Sequence, residues 1–117
     1  MKIGVMILEG PYQHQAADSA YHFSQAALAR GHEIVGIFLF TDAVNNVNQF
    51  IQPPGERNIA QRFDELAERG VPVVACTACA KFRGLRPNLK TAHVRLAGLG
   101  ALAQYLQEAD RFVTFGD

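Results

Sequence analysis

Two stretches of the sequence, KIGVMIL at 2–8 and EIVGIFL at 33–39, are apolar almost without interruption over the length of a strand, and VPVVA at 71–75 repeats the pattern. A strand with one wet face alternates apolar and polar residues; a strand covered on both faces does not. The runs therefore predict parallel strands sandwiched between helices. Ala16, Ala20, Phe23, Ala27 and Leu28 recur at helical spacing, with Gly31 placed to cap the helix before the second strand, which completes a βαβ unit. Ile59, Phe63, Leu66 and Ala67 mark a second helix that Gly70 ends before VPVVA.

The remaining segments extend this alternation. Residues 77–84 predict a short helix, 93–96 a short strand, 98–109 (GLGALAQYLQEA) an amphipathic helix, and RFVTF at 111–115 a last strand. TDAVNNVNQFIQPPGER at 41–57 is rich in Asn, Pro and Gly without a clean period and reads as a long loop. The expectation is an α/β fold with a mostly parallel sheet of about five strands, right-handed crossovers and helices on both faces. At 117 residues it forms one domain, 1–117.

Composition narrows the function. Eleven basic residues cancel eleven acidic ones without clustering, which argues against direct binding of nucleic acid or an anionic membrane and permits a homo-oligomer. The opening MKIGVMILEG reads as a first strand rather than a signal peptide, and no apolar stretch reaches the roughly 20 residues of a membrane helix. The expected location is the cytoplasm, where a pair of cysteines three positions apart is seldom a structural staple.

Open parallel sheets bind ligands beyond the carboxyl ends of their strands. The residues there are Gly10–Gln15, Thr41–Gln49, Cys76–Gly84 and the short tail after Phe115. Cys76 follows the third strand and precedes a helical turn whose free N–H groups favour a thiolate, with Lys81 and Arg83 adding positive charge downstream. A thiolate attacks sulfane sulfur and holds it as a persulfide. The competing reading is a small apolar residue filling a core gap.

Cys79 completes a C-T-A-C motif, which a dithiol redox protein would also carry; packing within the helix is its simpler role. His14 in the first loop approaches Cys76 if the first and third strands are neighbours. His22, His32 and His93 read as surface or helix-face residues, the four histidines do not sit at metal-ligand spacing, and no nucleotide-binding glycine motif is present. Asn45, Asn46 and Asn48 suit turn geometry.

EGPYQHQAADSAYHFSQAALARGHEI at 9–34, VNNVNQ at 44–49, VVACTACAKFRG at 73–84, GLGALAQ at 98–104 and ADRFVTF at 109–115 together resemble the DsrE/TusD sulfurtransferases of the DsrEFH and TusBCD complexes, DsrE more than TusD. The resemblance implies a three-layer α/β/α fold and a persulfide passed between cysteine proteins with no metal or organic cofactor. It places the sulfur-accepting cysteine at Cys76, with Cys79, His14, Tyr12, Asn46 and Arg83 as accessory or site-lining candidates. The implied partners are DsrF-like and DsrH-like (TusC, TusB) subunits, with DsrC or TusE, and TusA, as exchange proteins. Sulfur oxidation and tRNA 2-thiouridine synthesis are both destinations of such a relay; a non-catalytic assembly subunit is the remaining alternative. The stretch Leu85 to Ala97 looks shorter than in related chains, and Cys79 stands where they commonly have alanine.

Overall fold

The structure, a computed structural model, describes residues 1–116; Asp117, the end of the tail noted above, lies outside them. Its elements run β1 (Lys2–Ile7), α1 (Ala16–Ala29), β2 (Glu33–Leu39), a 3-10 helix (Thr41–Val47), α2 (Ile59–Glu68), β3 (Val73–Cys76), α3 (Thr77–Phe82), a 3-10 turn (Pro87–Leu89), β4 (Arg95–Ala97), α4 (Leu99–Glu108) and β5 (Arg111–Phe115). The five strands form one sheet in the order β4-β3-β2-β1-β5, with every pair parallel. The unbroken apolar runs are explained directly: Val5, Ile7, Ile37, Phe38, Leu39, Val74 and Ala75 are all fully buried.

Helices cover both faces of the sheet. Val5, Ile37 and Val113 project on one side, where α1 and α2 lie; Phe23 of α1 meets Phe115 at 5.6 Å, and Tyr21 of α1 packs edge-to-face on Phe63 of α2. Gly4 and Gly36 are register partners and project on the other side, under α4. A Cβ on Gly36 would stand 2.3 Å from the Tyr105 ring, and one on Gly4 would stand 2.5 Å from the Phe112 ring, so these glycines make room for aromatic side chains.

Three features differ from the sequence reading. The segment 41–57 is not loop throughout: it begins with a seven-residue 3-10 helix that buries Ala43, Val44, Asn46 and Val47 against α2, α3 and β3. Its i to i+3 bonding has no 3.6-residue period for a pattern search to find. The third strand runs Val73–Cys76, which makes Cys76 its last residue rather than the one after it. Finally, β2 separates β1 from β3, so the neighbour relation on which His14 depended is absent.

The topology also locates a crevice. Right-handed crossovers place the β3-to-β4 connection on the α1/α2 side, whereas α4, which returns the chain from β4 to β5, lies on the other. Adjacent strands whose following segments depart to opposite faces mark the switch point of an open sheet. Here those strands are β3 and β4, and their final register pair is Cys76 with Ala97.

Candidate functional site

Cys76 ends β3 and serves as the N-cap of α3, with φ −62° and ψ 123°. It is 2% exposed, and Cys79, one helical turn on, is 8% exposed; both are free thiols. The chain changes from strand to helix here because Thr77 to Phe82 contains no glycine or proline and follows an extended N-cap. The Cys79 Sγ accepts the Thr41 N–H at 3.2 Å. Burial pushes the Cys79 thiol above its ordinary value, and so does the hydrogen bond it makes with Cys76; the Thr41 N–H opposes them.

Thr41 is a site residue that the sequence reading passed over. It is the second residue after β2, at a strand's carboxyl end, and it holds a left-handed backbone with φ 53°. Its single hydroxyl proton is shared between the carbonyls of Leu8 and Phe40, both at 2.7 Å. Thr41 therefore ties the ends of β1 and β2 to the sulfur on α3. The signal available in sequence was only its position, since a β-branched residue does not advertise a positive φ.

Arg83 is brought to this cluster, but its charge is engaged. Nε donates to Asp42 Oδ1 at 2.6 Å and Nη1 donates to the Cys79 carbonyl at 3.1 Å, clamping α3 onto the 3-10 helix. Lys81 is exposed on the outer side of α3. Charge is balanced over the chain yet uneven along it, a correction to the reading of unclustered charge: no acidic residue falls between Glu68 and Glu108, while Arg69, Lys81, Arg83, Arg86, Lys90 and Arg95 do. An apolar cleft of about 330 Å³ lies in this stretch, lined by Thr77, Ala80, Leu85 and Leu96 among others.

The other candidates lie around the end of β1. Asn46 is buried and donates Nδ2–H to the Glu9 carbonyl at 2.9 Å, anchoring the 3-10 helix to the first loop. Tyr12, at φ 67°, donates its hydroxyl to the Arg57 carbonyl at 2.9 Å and accepts the Ile59 N–H at 3.0 Å, fastening that loop to the start of α2. His14 is exposed, 3.7 Å from the Glu9 carboxylate. Glu9, His14, Asp42 and Asn45 line a cleft of about 650 Å³, and neither cysteine lines it. Tyr12 and Asn46 thus shape the loops, and His14 faces a separate polar recess.

Among the described residues, no group of three or more His, Cys, Asp or Glu side chains is placed to hold a metal ion, and no helix is long and apolar enough to cross a membrane. Of the histidines read as surface groups, His93 is tied to Asp64: its backbone N–H donates to Oδ1 and its Nδ1 lies against Oδ2, each at 2.8 Å.

A parallel sheet covered by helices on both faces, with two adjacent thiols buried at its switch point, defines a class: three-layer α/β/α proteins that present cysteine at a strand end. Comparison with known proteins places the chain more narrowly. Residues 1–115 match the model of the DsrE/DsrF-like family, and the chain belongs to that family. It is 45% identical to a protein of Allochromatium vinosum named putative sulfurtransferase DsrE, over an alignment of 130 positions that covers all of both chains. That alignment is longer than the 117-residue chain, so the relative carries residues that this chain lacks. Sulfurtransferase TusD of Enterobacter sp. is 37% identical, covering 98% of this chain and all of that one. Among solved structures, the ychN protein of E. coli superposes with a TM-score of 0.89 at 27% identity, covering 98% of this chain and 99% of the other.

Proposed function

We propose that this chain is a sulfur-carrier sulfurtransferase subunit in which Cys76 accepts sulfane sulfur as a persulfide and passes it to a partner protein. The observation that carries this reading is the place of Cys76, the last residue of β3 at the β3/β4 switch point, in a chain 45% identical along its length to a named sulfurtransferase. In loading, the Cys76 thiolate attacks the terminal sulfur of a donor persulfide and the donor leaves as a thiolate. Delivery is the same displacement by an acceptor thiolate on the sulfur held at Cys76. Each step breaks one S–S bond and forms one, so no metal, organic cofactor or external oxidant is required.

The near-complete burial of Cys76 suits a carrier more than a free-standing catalyst, because it shields a reactive persulfide until a partner opens a path to it. The partners under this reading are DsrF-like and DsrH-like subunits, with DsrC-like and TusA-like exchange proteins, in the cytoplasm. The higher identity to DsrE than to TusD favours sulfur oxidation over tRNA thiolation as the destination. Intact-mass analysis after incubation with a persulfide or thiosulfate donor tests the proposal. The wild type is expected to gain one sulfur mass, and Cys76→Ser none; a serine variant that loads and delivers sulfur like the wild type would refute it.

A further inference from the structure

Cys76 and Cys79 occupy the N-cap and the third position of α3. Side chains at those two positions face one another, the relation that capping boxes use. Both sulfurs are buried. A cysteine that only fills space needs no hydrogen bond, yet Cys79 Sγ takes a backbone N–H from Thr41, a residue held in left-handed backbone to present it.

We propose that Cys79 is a resolving thiol: it converts a sulfur-loaded Cys76 into a Cys76–Cys79 disulfide and releases the carried sulfur as hydrosulfide. This rests on the persulfide reading of Cys76. The proton of Cys79 passes to the terminal sulfur of the persulfide anion, and the Cys79 thiolate attacks Cys76 Sγ. The bond from Cys76 Sγ to the terminal sulfur breaks, and that sulfur leaves with the bonding pair as HS⁻. The two protein sulfurs end at the disulfide level and the sulfane sulfur is reduced to sulfide, so the step balances without another reagent.

Timing follows from the surroundings of Cys79. Burial holds it as a thiol near neutral pH, so resolution is slow and delivery to a waiting acceptor comes first. The Thr41 N–H stabilises the thiolate when it forms. Ordinary helix spacing leaves Cβ atoms three residues apart at about 5–6 Å. A disulfide needs about 3.5–4.5 Å. Closure therefore tightens the first turn of α3 by about 1–2 Å and shifts the sulfur that the Thr41 N–H holds. The oxidised chain is an emptied carrier with a reshaped entrance, held so until a dithiol reduces it.

The test loads the reduced wild-type chain and Cys79→Ser with inorganic polysulfide, removes the excess, and follows intact mass and released sulfide with time. The wild type is expected to gain one sulfur and then convert to a species two hydrogens below the reduced chain. One sulfide should appear per conversion, at a rate that stays level with pH while Cys79 is a thiol and the persulfide an anion, because the leaving sulfur takes the proton that Cys79 gives up. Peptide mapping should find residues 76 and 79 cross-linked. Whatever fraction of Cys79→Ser loads should keep its sulfur; Cys79→Ala repeats the measurement should serine disturb the packing. A wild-type adduct as persistent as that of the variants overturns the resolving role and leaves the carrier reading standing. Absence of any adduct overturns the carrier reading and the inference with it. In a third arm without sulfur, a pair that stays open across glutathione redox buffers also overturns the inference.

Discussion

At Thr41, one cost and two gains meet in one residue. A β-branched side chain in left-handed backbone is strained by about 1–3 kcal/mol, and the strain persists because the hydroxyl satisfies the Leu8 and Phe40 carbonyls while the N–H reaches the Cys79 sulfur. Thr41→Val keeps the shape and the strain but removes the hydroxyl. We expect it to lower unfolding free energy by about 1–2 kcal/mol, the net value of the lost bond plus an unpaired carbonyl. Thr41→Ser keeps the hydroxyl and relaxes the branching, so its urea midpoint should lie close to that of the wild type. Equal midpoints for valine and serine would mean that the hydroxyl bonds contribute nothing. Tyr12 shares the logic: its positive φ is held by one hydroxyl that donates to Arg57 and accepts from Ile59.

Between elements, α4 approaches β2 closely at Gly36. Gly36 lies under the Tyr105 ring, which is itself buried, so a methyl group at Gly36 cannot be accommodated by swinging a flexible tip aside. Gly36→Ala should destabilise the protein by about 1–3 kcal/mol through overpacking. The penalty should shrink in a Tyr105→Leu background, giving a coupling energy of at least about 0.5 kcal/mol in a double-mutant cycle; strict additivity would show that the contact is not what excludes a side chain at Gly36. Helices and strands at this scale were legible in the sequence because burial on both faces leaves unbroken apolar runs, and glycines at 31 and 70 punctuate them. The order of the strands was not, since every central parallel strand carries the same pattern. That is why His14 was coupled to Cys76 on a condition the sheet does not meet. The 3-10 helix was hidden by its Asn-rich composition. With it went Asn46's bond to Glu9 and the approach of Thr41 to Cys79, both long-range contacts with no local trace.

Across the whole molecule, ion pairs join segments far apart in sequence and make stability depend on pH from two sides. Asp18 of α1 is held below its ordinary value of 3.8, chiefly by its hydrogen bonds from Arg57, which outweigh burial. Asp64 of α2 is raised by burial, but the bonds from His93 prevail and its net shift is downward. Carboxyl groups lowered in the folded state contribute stability above their unfolded values, and that contribution disappears as pH falls through the folded ones. His93 has the opposite sign: the Asp64 carboxylate raises it above 6.5, so its contribution is full below that value and disappears as pH rises through the folded one. The two limbs enclose a maximum at about pH 5–6. Urea midpoints measured from pH 3 to 9 should trace that dome. Asp18→Asn should flatten the acid limb and leave the alkaline limb in place. His93→Gln should flatten the alkaline limb, because it removes the group among those shifted whose charge is lost on raising the pH through neutrality, and should shorten the acid limb only by the part that Asp64 owes to the His93 ring. An alkaline limb unchanged in His93→Gln would assign that decline to other groups, and would detach the segment before β4 from the pH response that its tie to α2 predicts.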